Sequence, residues 1–324
     1  VCADEVQFVR NGETKAWKAL SRLKSEIFLG LSGTAIENNM EDLFYLLNIA
    51  EPKLFNGLWR FQDQYQVPKI QAKNKILFHG LKNKEELKKR VARNLYISES
   101  ELSTQPIISL VKSVSPTTVS LSESNQYWKK AKDLLSKSLN SEISFKEKLL
   151  IQGYLLKARQ AASDICLIDK NFNQTPAGKT AAIIDLVQSI TARNEKVIIY
   201  SEWVEYLQYL AKYLDAAVFH GQLSIKQRAE TIELFKNSKS VLLCSDAGGI
   251  GLDGLQHVCC NIIHAEPSWN PAKRVQRNAR LNRIGQSMPV NEYCFVTAGT
   301  IEEHVAQATQ DKNQLRNDMF YSKE

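Results

Sequence analysis

The sequence predicts an α/β fold in which parallel sheets are flanked by helices, with a helical insertion between two sheet-bearing regions. Three observations predict it. Short, nearly continuous apolar runs recur towards both ends of the chain, as strands buried on both faces of a parallel sheet require. Stretches with helical apolar spacing separate most of them. The segment from 56 to 170 is rich in charge, reads as long helices such as SFKEKLLIQGYLLKARQAASDI, and shows no strand alternation.

The elements follow in chain order. VCADEVQFVRN opens with small apolar residues that run into the acidic pair Asp4-Glu5, where a nucleotide hydrolase holds a metal ion and an attacking water. IFLGLSG (27–33) is the next strand, and Ser32-Gly33-Thr34 ends it in a small, polar, sharp turn before the helix of LSGTAIENNMEDLFYLLNIAEP. NFNQTPAGKT (171–180) is the most loop-like stretch and is taken as a domain boundary. VIIYS (197–201), AVFHG (217–221), VLLCSD (241–246), CCNIIHAE (259–266) and VNEYCFVT (290–297) are strands. EWVEYLQYLAKYL (202–214) is an amphipathic helix between two of them. Ser224 with Gln227, and Thr300 with Glu303, carry the capping-box pattern at the starts of two helices.

Composition bounds the function. At 324 residues, 44% hydrophobic and 24% charged, the chain is long enough for two ordinary globular domains. No apolar run approaches the ~18–20 residues of a membrane span, and no signal peptide is visible. Six cysteines (Cys2, Cys166, Cys244, Cys259, Cys260 and Cys294) lie scattered in apolar stretches without a CxxC pair. They read as reduced and buried, which points to the cytoplasm and away from zinc or disulfides. A net charge of +7 permits an anionic partner.

One motif misleads. PAGKT ends like a phosphate-binding loop, but Asn173 stands where the first glycine belongs, and no buried strand leads into it. It is read as a decoy. CSDAGGIGLDGL (244–255) is a strand ending in a glycine-rich turn whose N–H groups can approach phosphate, although a structural turn fits equally. WNPAKRVQRNARLNRIGQ (269–286) reads as a helix with Lys273, Arg274, Arg277, Arg280 and Arg283 and no acid among them. Gln276, Arg280 and Arg283 would share one face of it. Taken alone, that run is also what a solvated basic face looks like.

The ordered set resembles the Swi/Snf-type family of helicase-like ATPases, in helicase superfamily two, over nearly the whole chain. DEVQ matches motif II, SGTAIENN motif III, VIIYSEW motif IV, DAGGIGLDG motif V and QRNARLNRIGQ motif VI. PAGK, AEPSWNP and TIEEHV match family segments between or after these. The resemblance implies RecA-like sheets. It divides the chain into the end of lobe one (1–55), a helical protrusion and linker (56–170), a complete lobe two (171–305) and a C-terminal helix (306–324). It implies that ATP and Mg²⁺ are the cofactors and double-stranded DNA the partner. Asp4 would hold Mg²⁺ through water, and Glu5 would orient and deprotonate the attacking water. Arg280 and Arg283 would act as arginine fingers on the γ-phosphate. Gly251 and Asp253 match positions facing the ribose, and Gln7 and Gln276 go with the nucleotide site. Gln7 with Ser32, Gly33 and Thr34 would couple that site to the DNA groove. Ser201, Arg228, Ser245 and Trp269 match positions along the groove, and Trp269 fits a core aromatic as well.

This chain departs from the family at several points. Motif VI has Ala279 and Asn282 where the family has an acid and an aromatic or histidine, motif III has Ala35 for proline, motif V has Asp253 for asparagine, and Ser268-Trp269 replaces paired tryptophans. The family's phosphate-gripping lysine belongs upstream of the acidic pair, and the chain starts at Val1 within a strand. The expectation is the back half of an ATP-dependent duplex translocase, inactive by itself, with a short loop at 171–178 as in bacterial or archaeal members. A catalytically silent clamp and an RNA-directed helicase are the alternatives.

Overall fold

The computed structural model describes residues 1–32, 36, 39–71, 75–95, 105–137, 144–169, 172, 175–246 and 253–320. They form two units, one of residues 1–100, 270–272 and 309–324 and one of residues 101–269 and 273–308.

In the first unit, β1 (Cys2–Ala3) pairs in parallel with β2 (Leu29–Gly30), and the short helix α1 (Lys15–Leu20) lies between them. Both strands are brief, and Cys2, Leu29 and Leu31 are exposed. Helix α2 (Met40–Ala50) starts at Asn39, whose Oδ1 accepts the Glu41 and Asp42 N–H groups. Its apolar face packs with α3 (Leu58–Tyr65) and α4 (Lys84–Val91), burying Leu43, Phe44, Leu47, Phe61, Tyr65 and Leu87. The strands β3 (Gln66–Gln71) and β4 (Lys75–Leu81) pair antiparallel between the last two helices.

The second unit is a parallel sheet covered by helices. It begins with β5 (Ile107–Val114), α5 (Thr118–Lys137), α6 (Phe145–Ser163) and α7 (Gly178–Thr191). Then come β6 (Val197–Ser201), α8 (Val204–Leu210), β7 (Ala216–Phe219), α9 (Ile225–Asn237) and β8 (Val241–Ser245). The series closes with β9 (Asn261–His264), α10 (Pro271–Asn278, in this unit from Lys273 on), β10 (Val290–Thr297) and α11 (Ile301–Phe320, in this unit as far as Ala308). The strand order is β5-β10-β9-β6-β8-β7, with every pairing parallel. Alternation within a strand feeds two cores. Val197, Ile199, Leu243, Ile263 and Phe295 pack under α7 and α8, while Ile198, Tyr200, Leu242, Cys244 and Ile262 pack under α9. Because both faces are covered, β6 (VIIYS) and β8 (VLLCS) are nearly continuous apolar runs, as the sequence predicts.

Several expectations need correction. The segment read as wholly helical holds β3, β4 and β5. Ser109, Lys112 and Ser113 break up the apolar run of β5, which is an exposed edge strand with one neighbour, β10. The helix read through 269–286 ends at Asn278, where both side-chain polar atoms are drawn to the sheet, so Arg280 and Arg283 lie in turns beyond it. The capping box of Ser224 and Gln227 forms in both directions. At α11, Thr300 Oγ1 accepts from the Glu302 N–H and donates to the Thr297 carbonyl, and the reciprocal Glu303 bond is not found among the described residues. Cys2, expected to be buried, is exposed.

Candidate functional site

The acidic pair sits on the turn that leaves β1. Glu5 adopts a left-handed backbone (φ 49°), uncommon for a residue with a Cβ, and starts a 3₁₀ turn over Val6–Val9. The Asp4 carboxylate accepts the Glu5 N–H at 2.8 Å. Buried Gln7 donates its amide to the Glu5 carboxylate, and its Oε1 accepts the Ser32 hydroxyl at 2.7 Å. One side chain therefore joins motif II to motif III. Asp4 and Glu5 are exposed, and they offer the hard oxygen donors that Mg²⁺ takes, so these residues fit the ion. Gly33 and Thr34 lie outside the described residues.

In the second unit the three cations of α10, Lys273, Arg274 and Arg277, are each met by a carboxylate. Nearly buried Arg277 donates to Asp246, which follows β8, at 2.7 and 2.5 Å, and its guanidinium stacks 5.1 Å from the Tyr200 ring centroid. Lys273 Nζ lies 2.8 Å from Asp246 and 3.3 Å from Glu202. Arg274 donates twice to Glu292 on β10, at 2.6 and 2.5 Å. His264 Nε2 lies 3.1 Å from both the Asn278 Oδ1 and Glu292, while Asn278 Nδ2 donates to Glu292. Burial opposes the charge on Glu292, but the Arg274 and His264 hydrogen bonds outweigh it and hold the carboxyl well below its usual range. Burial lowers the pKa of His264 and favours neutral imidazole.

A second acidic pair stands where β6 and its neighbour β9 end, Glu202 after the one and Glu266 after the other. Burial opposes ionisation of Glu202, yet Arg159 at 2.8 Å, Ser268 and Lys273 bring its pKa down to about 2. Glu266 accepts from Ser201 Oγ and from the Glu202 N–H, but its complete burial raises its pKa to about 7. Sequence reasoning missed Asp246, Glu202, Glu266, His264 and Glu292. The visible signal was an acid just after three of the strands, Glu202 in SEW, Asp246 in CSD and Glu266 in HAE, set against a basic helix that has none.

The remaining candidates distribute as follows. Arg283 pairs with Asp253 at 2.8 Å on the surface, which joins motifs V and VI. Arg280 is half-buried near Tyr200 and Cys244, and its guanidinium makes no hydrogen bond among the described residues. Gln276 is exposed on α10, and Gly251 lies outside the described residues. Ser201 is fully buried, with its hydroxyl committed to Glu266 and the Trp203 N–H. Arg228 holds the Gly221 and Leu223 carbonyls at 2.6 and 3.0 Å. Ser245 is buried at the tip of β8, its hydroxyl without a partner among the described residues, and Trp269 is 36% exposed. Lys179 of PAGKT is buried against Glu302, at 2.5 and 2.6 Å from its two oxygens. Among the described residues, no helix is long and apolar enough to cross a membrane.

Comparison with known proteins agrees with this layout. Residues 1–160 match the model of the SNF2-related domain, and residues 178–285 match the helicase conserved C-terminal domain. An uncharacterized ATP-dependent helicase of Mycoplasma genitalium is 28% identical over 97% of this chain and 30% of its own length. The ATP-dependent DNA helicase DDM1 of Arabidopsis thaliana is 26% identical over 98% of this chain and 45% of its own. This chain thus spans less than half the length of either relative. A Sulfolobus solfataricus SWI2/SNF2 ATPase core, solved in complex with double-stranded DNA, shares the fold with a TM-score of 0.54 and 24% identity, over 98% of this chain and 68% of that one. With the two domain models following one another in order along it, the chain belongs to the Swi/Snf-type (SNF2) family of helicase-like ATPases.

Proposed function

We propose that this protein works in an ATP-dependent translocase that moves along double-stranded DNA in the cytoplasm without separating the strands. The observation that carries the reading is the bond chain Glu5–Gln7–Ser32, because a motor needs its hydrolytic carboxylate tied to the segment that answers to DNA. Asp4 would hold Mg²⁺ through its water shell, and Glu5 would orient the attacking water and accept its proton. When bound, the ion neutralises phosphate charge. Gln7 fixes the direction of the Glu5 carboxylate, so a shift at Ser32 changes how well that base is aimed. Arg280 supplies a fixed positive charge to the phosphates, which is supported by the absence of an acid bonded to it among the described residues. Arg283 and Gln276 assist at the nucleotide, with Gly251 and Asp253 near the ribose. Ser201, Arg228, Ser245 and Trp269 lie along the DNA path, while Gly33 and Thr34 complete the coupling segment.

The test is ATP hydrolysis by the protein as the cell makes it, with and without duplex DNA. Stimulation by the duplex is expected, with Gln7→Ala losing that stimulation while retaining nucleotide binding. No hydrolysis with any nucleic acid would leave a clamp, and stimulation by RNA over DNA would make it an RNA-directed enzyme.

A further inference from the structure

The helix that the sequence marks as most basic is electrically answered, since Lys273, Arg274 and Arg277 each face a carboxylate on the sheet. Apart from Arg280, a further group of cations in this unit without an acidic partner among the described residues lies on α5 and α6, which pack against each other. Lys129, Lys130 and Lys132 on α5 and Lys157 on α6 are all exposed, and none makes an ion pair among the described residues. Three of them are held over aromatic rings instead. Lys130 Nζ stands 5.2 Å from the Tyr127 centroid and 5.9 Å from that of Tyr154, and Lys157 Nζ stands 5.3 Å from Tyr127. Lys132 Nζ stands 5.3 Å from Trp128. The rings are themselves fixed: Tyr127 stacks on Tyr154 across the two helices, with centroids 6.3 Å apart, and Trp128 lies 5.4 Å from His304 of α11. Beside them is a hollow of about 430 Å³ lined by Asn125, Lys129, Lys132, Thr300 and His304, with Glu303 at its wall.

A ring face attracts an ammonium without cancelling its charge, and it limits the side chain's freedom. A phosphate arriving there meets partly ordered cations that no carboxylate pairs with among the described residues, although Glu303 stands at the wall of the hollow. We infer that this face of α5 and α6 is a second phosphate-binding surface, and that it takes the backbone of duplex DNA outside the groove served by the motif residues. The choice of DNA as the polyanion rests on the translocase reading. Point charges on flexible stems hold phosphates without reading bases, so the contribution is independent of sequence.

Counterion release gives the measurement. Each phosphate contact contributes about −0.9 to the slope of log K against log salt on duplex DNA. The variant Lys129→Gln/Lys130→Gln/Lys132→Gln/Lys157→Gln keeps the rings, and it is expected to bind a 30-base-pair duplex with a slope shallower by about 3–4 units, with an unchanged melting temperature. Lys132→Gln alone is expected to remove about one unit, which guards against misfolding of the quadruple variant. An unchanged slope in a protein that binds and hydrolyses normally overturns this surface and leaves the translocase reading intact. Failure of the unmodified protein to bind duplex overturns both. Tighter binding of poly-glutamate than of duplex, lost in the same variant, overturns the DNA assignment in favour of an acidic protein.

Discussion

Replacing Lys179 by methionine separates a buried ion pair from a phosphate-gripping lysine. The Lys179 and Glu302 side chains are each about 1% exposed, with Nζ 2.5 Å from the carboxylate. Glu302 also accepts the Thr297 N–H at 2.8 Å and the Ser163 hydroxyl at 3.3 Å. Lys179→Met leaves that carboxylate buried with two neutral donors, and breaking such a pair from one side costs roughly 3–5 kcal/mol. For a unit of this size, each kcal/mol lowers the midpoint by about 2–4 °C, so a fall of roughly 6–20 °C is expected in a thermal melt. Lys179→Met/Glu302→Leu removes both charges and should recover most of the loss, leaving the Thr297 N–H unpaired at about 1–3 kcal/mol. An unchanged melt together with lost ATP affinity in Lys179→Met would refute the reasoning and restore PAGKT as a nucleotide motif.

Glu266 sets a pH dependence. Its folded pKa of about 7 lies above the ordinary 4.5, so the folded state holds the proton longer, and stability should fall by on the order of 3 kcal/mol as pH rises from 4.5 to 7. Denaturant titrations at several pH values should show that slope, and Glu266→Gln should flatten it. Glu202 runs the other way: its pKa of about 2 gives stability that is complete above pH 4.5 and drains as pH falls towards 2. Asp246→Asn should lower the unfolding free energy by roughly 3–5 kcal/mol, because it leaves Arg277 buried without its anion. By the same assay Asp253→Asn should cost at most about 1 kcal/mol, its pair with Arg283 being on the surface. A thiol reagent on the folded protein should label exposed Cys2 first, as mass spectrometry would show, while burial holds Cys244 and Cys259 at about 12 and unreactive.

Five of the six strands of the second unit's sheet were legible because burial on both faces favours a nearly continuous apolar run, clearest in VIIYS and VLLCS. The sixth, β5, was not. An edge strand needs little burial, and Lys112 and two serines blur its pattern. The family motifs were legible as residue types in order, but their partners were not. Nothing local in WNPAKRVQRN reveals that Asp246 and Glu292, distant in sequence, will meet Arg277 and Arg274. The turn at Asn278 escaped for the same reason, since the bonds that stop the helix come from His264 and Glu292. Helical spacing of arginines was therefore an unsafe guide to which of them share a face.

The place of β10 in its sheet has a consequence for how the protein is made. β10 lies between β5 and β9, and its first residue, Val290, is in register with Ile107. At ~5–20 residues per second, a ribosome needs on the order of 10–35 s to reach one after the other. Throughout that interval β5 has no strand to join, and from its own synthesis until β10 follows, β9 shows an open edge, a template for pairing with another chain. Contacts so distant in sequence also slow folding by the loop that must close before they form. Nascent chains of this protein should therefore depend on chaperones until β10 has emerged, and ribosome-bound chains stalled before Val290 should remain protease-sensitive in β5 while those stalled well past Thr297 resist.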